Sequence, residues 1–263
     1  MMWLKHRTKS LLGRGIVASG LHHLLLKDGG VIVAFHRVND KLPSDALTVT
    51  SRKFEAFCRF FRNHFDVIEL DDFVGRLERK ASIHGAVAIT FDDGYLDNFE
   101  VAAPILQKAA LPATFFVVTS FLETTTVPWW DRDLPHHPGW MTWDHVRTLA
   151  SEGFDIGAHT RTHADLGAVD GPEADTEIQG SRTDLIERLG RTPSHFAYPY
   201  GQQANLSEAN RERIRLAGFK SCVSCLDGVT DPHSDPYRLP RVSISPWFRS
   251  PEQFTFDMLA RRG

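Results

Sequence analysis

Short apolar runs alternate along the chain with stretches in which apolar residues recur every three or four positions. The runs, rich in β-branched and aromatic residues and bounded by turn formers, predict strands at 31–35, 67–70, 86–90, 113–118, 154–157, 196–198, 221–224 and 242–244. The longer spacing predicts helices near 51–63, 71–80, 97–110, 142–152, 172–189, 205–217 and 250–261. Ser250-Pro251-Glu252-Gln253 places an N-cap serine, a first-turn proline and a capping-box glutamine in order, while Gly153, Gly190 and Gly218 stand where helices should stop. Repeated strand–helix units imply a mostly parallel sheet closed or nearly closed by helices, so the expected architecture is a single α/β barrel-like domain over 29–263. Residues 1–28 form a basic amphipathic helix in this reading, expected to pack on the domain, with Leu11, Leu12, Ile16, Val17, Leu21, Leu24 and Leu25 along one side and Lys5, Arg7, Lys9 and Arg14 among them. The segment 119–141 is too rich in Pro and Gly for core and is expected to pass over one end of the barrel.

Composition narrows the class of protein. With 263 residues, 42% of them apolar and 24% charged, the chain suits one substantial core and not a disordered, collagen-like or coiled-coil protein. A net charge of −3 gives no general attraction to nucleic acid. Three cysteines, Cys58, Cys222 and Cys225, are too few for a disulfide framework, so reduced thiols are expected. Gly13, Arg14, Gly15 and Gly20 break up the early apolar residues, which argues against a cleaved signal peptide and for a cytoplasmic location. The basic start would also suit a peripheral contact with the inner membrane face.

Chemistry concentrates at the ends of predicted strands. The run 86–89 leads into Thr90-Phe91-Asp92-Asp93-Gly94-Tyr95, which puts two carboxylates at the C-terminal strand edge, the functional rim of parallel α/β folds. Alone, Asp-Asp-Gly reads equally well as turn punctuation. Another apolar run ends in His159-Thr160-Arg161-Thr162-His163, whose histidines, four apart, can converge on one ion. One carboxylate then completes three protein ligands and leaves a position for water, the pattern of a catalytic metal site. Chance pairs are expected among 13 histidines, so the coincidence of both motifs at strand ends carries the inference. A third strand end, His195-Phe196-Ala197-Tyr198-Pro199-Tyr200-Gly201, has Pro199 and Gly201 to fix a backbone path that aims an amide N–H at a ligand, or simply to exit the strand.

Taken together, Thr-Phe-Asp-Asp-Gly, His-Thr-x-x-His and Tyr-Pro-Tyr-Gly, in this order, resemble the NodB-homology polysaccharide deacetylases, metal-dependent carbohydrate esterases that remove acetyl groups from glycans. The resemblance extends over residues 31–245 and implies a distorted (β/α) barrel and a divalent ion, zinc first, with cobalt or nickel as alternatives. Carried over by position, it implies that Asp92 is the general base and that Asp93, His159 and His163 are the metal ligands. The Tyr200 backbone N–H would face the oxyanion. Ala197 and Tyr198 replace an arginine common before Pro-Tyr, and His36 follows the first strand; both features resemble exopolysaccharide-associated members acting on N-acetylhexosamine polymers. No Leu-x-His occurs near the carboxyl end, so the general acid is open between His36 and His233. Arg241 is expected at the substrate or orienting Asp92, with a surface role as the alternative.

These roles answer chemical needs. An amide is a poor electrophile, so a metal must polarise it and lower the pKa of water from ~16 toward ~7. Asp92 would take the water proton, and one preorganised amide donor facing the tetrahedral oxyanion is worth ~3 kcal/mol. The leaving amine needs an acid. Trp129-Trp130 suits stacking on a sugar ring, or anchors its loop. Gly13-Arg14-Gly15-Ile16-Val17-Ala18 matches a dinucleotide fingerprint only by letters, having no strand before it. Cys222-x-x-Cys225 reads as buried packing, and neither a Gly-x-Ser-x-Gly elbow nor a phosphate-binding lysine loop occurs. The expected activity is metal-dependent deacetylation of an acetylated polysaccharide or glycan precursor. The alternatives are a non-catalytic glycan-binding module and a hydrolase of a non-sugar amide.

Overall fold

Seven parallel strands make an almost closed barrel in a computed structural model that describes residues 2–260, with side chains from Thr8 to Leu259. They are β1 (Val31–Phe35), β5 (Ala86–Phe91), β6 (Thr114–Val117), β7 (Asp155–Ala158), β8 (His195–Ala197), β9 (Ser221–Val223) and β10 (Arg241–Ser243), in the spatial order β10-β1-β5-β6-β7-β8-β9. The two ends meet just before β10, where Val223 bridges Leu239 and the Ser224 N–H donates to the Leu239 carbonyl at 2.9 Å. The predicted strand at 67–70 is shorter, β4 (Asp66–Val67), because Leu70 already opens a helix with Asp71 and Asp72 in its first turn, where the helix dipole favours acids. β4 pairs the start of β5 and β6 pairs its end, which distorts the barrel at that edge. A short ladder of β2 (Arg37–Val38) with β3 (Thr48–Val49) is too brief to be legible in the sequence.

Strand alternation sorts side chains to two faces. Val33, Phe35, Val87, Ile89 and Phe91 pack outward under the helices, with Phe91 stacked between Phe35 and Phe115 at 5.4 and 4.9 Å. Ile32, Ala88, Phe116, Ala197 and Val223 fill the interior together with α4 (Leu70–Glu78), which plugs the N-terminal end through Phe73, Val74 and Leu77. Continued by twos, the inward register runs from Ile32 to His36 and from Ala88 to Asp92. The polar ends of these strands therefore converge above an apolar floor.

α3 (Ser51–His64) buries Phe54, Phe57, Cys58 and Phe61, spaced as one helical face demands, and Thr50 caps it. The predicted helix at 97–110 is a π-turn, Asn98–Ala102, followed by α5 (Ala103–Ala109), because Pro104 has no N–H for the Glu100 carbonyl. α6 (Trp143–Ser151), α7 (Gly171–Leu189) and α8 (Glu208–Leu216) follow the expected positions, although α8 begins only after a 3₁₀ turn, Gln203–Asn205. The excursion 119–141 does cross the barrel end, but it builds a small core of its own, with Trp140 and Phe121 packed on Tyr95 and Val118.

The expected N-terminal helix is two, α1 (Met2–Ala18) and α2 (Leu21–Leu26), broken at Gly20 with φ 70°. α1 lies along α9 (Pro251–Ala260), close enough that a Cβ on Gly13 would stand 1.9 Å from the Glu252 carbonyl oxygen, and Lys9 pairs with Asp257 at 2.5 Å. Of the expected apolar stripe only Val17 is buried, whereas Leu11, Leu12, Leu21, Leu24 and Leu25 are exposed; α2 instead buries His22 and Leu26. The side chains of Lys5 and Arg7, and residues 261–263, lie outside the described residues.

Candidate metal centre and catalytic cleft

The C-terminal ends of β5 and β7 bring Asp93, His159 and His163 together at the floor of a cavity of about 780 Å³. Asp93 Oδ1 lies 3.4 Å from Nε2 of each histidine. The His159 Nδ1–H donates to the Ala197 carbonyl at 2.8 Å, which leaves the Nε2 lone pair directed at Asp93, the tautomer a metal ligand requires. Asp93 Oδ1 is buried without a hydrogen-bond partner. A buried carboxylate oxygen left so is costly unless a cation meets it, and the three donors, within 4.8 Å of one another, fit a divalent ion. Burial pushes the Asp93 carboxyl up, but the two imidazoles, when protonated, outweigh it and hold it well below the usual range; a cation held between the three acts on the carboxyl in the same sense.

The backbone is strained here. Asp93 (φ 74°), Thr160 (φ 61°), His163 (φ 63°) and Tyr200 (φ 61°) occupy the left-handed region, four of the eight described non-glycine residues that do. Each such residue costs roughly 1–3 kcal/mol, which packing elsewhere must offset. Glu177 on α7 holds the turn between the histidines, accepting from the Arg161 and Thr162 amides at 2.9 and 2.8 Å. The turn 199–201 is fixed by the Gly201 carbonyl, which accepts from Cys225 N–H at 2.9 Å, and the Tyr200 amide has no acceptor among the described residues.

Asp92 points into the barrel, where Arg241 binds both its oxygens at 2.7 and 2.6 Å while also donating to the Thr90 hydroxyl and the Ser224 carbonyl. Burial raises the Asp92 carboxyl, but the Arg241 charge prevails and keeps it below its ordinary value. His36 Nε2 stands 4.0 Å from Asp92 Oδ2, and burial lowers its pKa.

A family model for polysaccharide deacetylases matches residues 79–222, more than half the chain and including both strand-end motifs. The chain belongs to the polysaccharide deacetylase family. Among sequence relatives of this deacetylase, the poly-β-1,6-N-acetyl-D-glucosamine N-deacetylase of Staphylococcus epidermidis is 22% identical over 245 residues, covering 83% of this chain and 80% of its own. The enzyme of the same name from Staphylococcus aureus is 23% identical over 211 residues, covering 75% and 68%. In fold, the deacetylase resembles PplD of Streptococcus pyogenes (TM-score 0.74, 22% identity, 86% of this chain and 96% of the other). IcaB of Ammonifex degensii is similar as well (TM-score 0.71, 23% identity, 87% and 96%). These solved structures agree with the barrel described above.

Other expected site residues of this deacetylase fall in different places. Arg241 is fully buried and does not line the cavity, so it is neither a substrate contact nor a surface residue; β10 lies beside β1 and next but one to β5, which directs its guanidinium at Asp92. Pro199 is likewise buried and does not line the cavity; it stands just after β8 and before the Tyr200 turn, whose path its ring restricts. His233 is exposed on a separate turn outside the cavity, which leaves His36 facing Asp92. Trp129 and Trp130 both line the cavity but differ. Trp130 donates to the Tyr95 hydroxyl at 2.9 Å and packs its ring 4.6 Å from that of His163, whereas Trp129 is 63% exposed. Cys225 lines the cavity, with its thiol pushed up by burial, and Cys222 is separately buried; both are free.

Sequence reasoning did not find Glu177, the Arg37–Asp131 pair or Trp247. Asp131 is fully buried beneath the tryptophans, accepting from Arg37 and from the Tyr95 hydroxyl. An aspartate following two tryptophans was the only local signal, and its partner lies 94 residues away.

Proposed function

We propose that this deacetylase hydrolyses N-acetyl groups on a polymer of N-acetylated hexosamine, with Asp93, His159 and His163 holding a divalent ion, zinc first. The observation that carries this reading is the convergence of those three donors beside a second carboxylate, Asp92, held by its own arginine. A bound cation supplies polarisation of the amide carbonyl and acidification of water. Asp92, kept ionised and oriented by Arg241, accepts the proton of the attacking water. The free Tyr200 N–H donates to the oxyanion. His36, 4.0 Å from Asp92, takes over the proton that Asp92 receives from the water and delivers it to the departing nitrogen. The named activity of the staphylococcal relatives supports N-acetylglucosamine as the sugar.

Acetate release from N-acetylglucosamine oligomers, measured with chelator and after addition of zinc, cobalt or nickel, tests the proposal. Asp92→Asn should retain metal and lose at least a hundredfold in turnover, the scale of a lost general base, while His159→Ala should lose both. Near-normal turnover by Asp92→Asn refutes the base assignment; oligomer binding without acetate release by metal-loaded wild type would favour a glycan-binding module.

A further inference from the structure

We propose that Trp247 forms a second sugar-stacking platform, binding a non-reacting ring of the polymer on the far side of the Asp92–Asp93 pair from Trp129. The inference rests on the deacetylase reading and deepens it: the substrate is engaged over several residues, not as one sugar. Trp129 belongs to the excursion that follows β6, and Trp247 to the connection from β10 to α9. In the order β10-β1-β5-β6 the strand carrying Asp92 and Asp93 lies between their strands, so the two indoles flank the reacting centre. Both line the same cavity.

Trp247 is 67% exposed, and among the described residues its ring stacks on no other. Its backbone, by contrast, is firmly held. The Phe248 N–H donates to the Ser245 carbonyl at 3.2 Å, Lys53 Nζ donates to the Pro246 carbonyl at 2.9 Å, and Gln253 Nε2 donates to the Trp247 carbonyl at 3.4 Å. Gln253 also accepts from the Arg249 amide at 3.0 Å, and Phe248 is buried beside the bare indole. A fixed turn that keeps a large apolar ring in water at the mouth of a cleft is arranged for a flat, partly apolar ligand, and the C–H face of a pyranose is one. The wall continues into α9, where Gln253 and Asp257 face the cavity, and α1 braces α9 through the Gly13 contact and the Lys9–Asp257 pair. The N-terminal helix thereby acquires a role in holding the cleft. Trp247, α9 and α1 all lie outside the segment 79–222 that matches the family model, so the match itself does not assign this platform.

The test compares kcat/KM for β-1,6-linked N-acetylglucosamine pentamer and dimer, together with calorimetric Kd for the pentamer. Trp247→Ala should lower the pentamer-to-dimer ratio and weaken pentamer binding, each about tenfold, and Trp247→Phe should recover most of both. An unchanged ratio, or an equal loss on both substrates, overturns the proposal. Failure of the deacetylase reading looks different: wild type then releases acetate from neither oligomer, while the calorimetric comparison still decides whether Trp247 binds sugar.

Discussion

Asp131 ties the excursion over the cleft to the barrel, and its removal should be felt in both stability and substrate binding. Its side chain and that of Arg37 are fully buried; one oxygen takes the Arg37 guanidinium and the other the Tyr95 hydroxyl at 2.8 Å. Breaking a buried pair by deleting one partner costs about 3–5 kcal/mol, because the surviving charge has lost both water and its counter-ion. Here Arg37 keeps Asp45 at 2.7 Å and the Thr48 hydroxyl at 3.0 Å, which places Asp131→Ala at the lower end, about 3 kcal/mol. At roughly 2–4 °C per kcal/mol for a chain of this size, Tm should fall by about 6–12 °C in scanning calorimetry. The Tyr95 hydroxyl also loses its acceptor, and Trp130 hangs from that hydroxyl while backing His163, so KM should rise and metal affinity fall. In Arg37→Met/Asp131→Leu no buried charge is orphaned, and most of the lost stability should return. A Tm drop below about 2 °C for the single variant, or a double variant no better than the single, refutes the reasoning.

Asp97 carries a pH-dependent liability. Burial pushes its carboxyl up to about 6, despite hydrogen bonds from the Val38 amide and the Asn39 side chain. The folded state then holds the proton more tightly than the unfolded chain, whose value is near 3.8, so the contribution of Asp97 to stability is greatest below pH 4, falls as pH rises toward 6, and is level above. Asp97→Asn should therefore exceed wild type by up to roughly 3 kcal/mol at pH 8 and match it at pH 4; urea denaturation showing the same gap at both pH values contradicts this. Gly13→Ala would normally favour a helix by about 1 kcal/mol, yet here the new Cβ meets backbone atoms of Glu252 at 1.9 and 2.6 Å, which cannot swing aside. α1 should separate from α9, seen as faster amide exchange over residues 8–18; unaltered exchange would show that the helices adjust without parting.

Much of the site could be read from local pattern. Strand ends are where alternation stops and turn residues begin, so the apolar runs before Asp92-Asp93 and His159 placed those side chains on one rim, and the spacing of His159 and His163 allowed one ion. The same signals were weaker where elements are short: two-residue strands carry no period, and Pro104 bends a helix whose apolar spacing stays intact. Arg241, 149 residues beyond Asp92, acquires its role only because closure of the barrel sets β10 beside β1 and β1 beside β5. Strained dihedrals at Asp93, His163 and Tyr200, the Arg37–Asp131 pair and the bare indole of Trp247 also come from how distant segments meet. Periodicity and spacing, which act over a few residues, determined the longer elements and put Asp93, His159 and His163 at strand ends, where they could meet. The orientation of Asp92, the placing of His36 beside it and of His233 away from it, and the walls of the cleft were decided by tertiary packing, because they depend on which strands become neighbours.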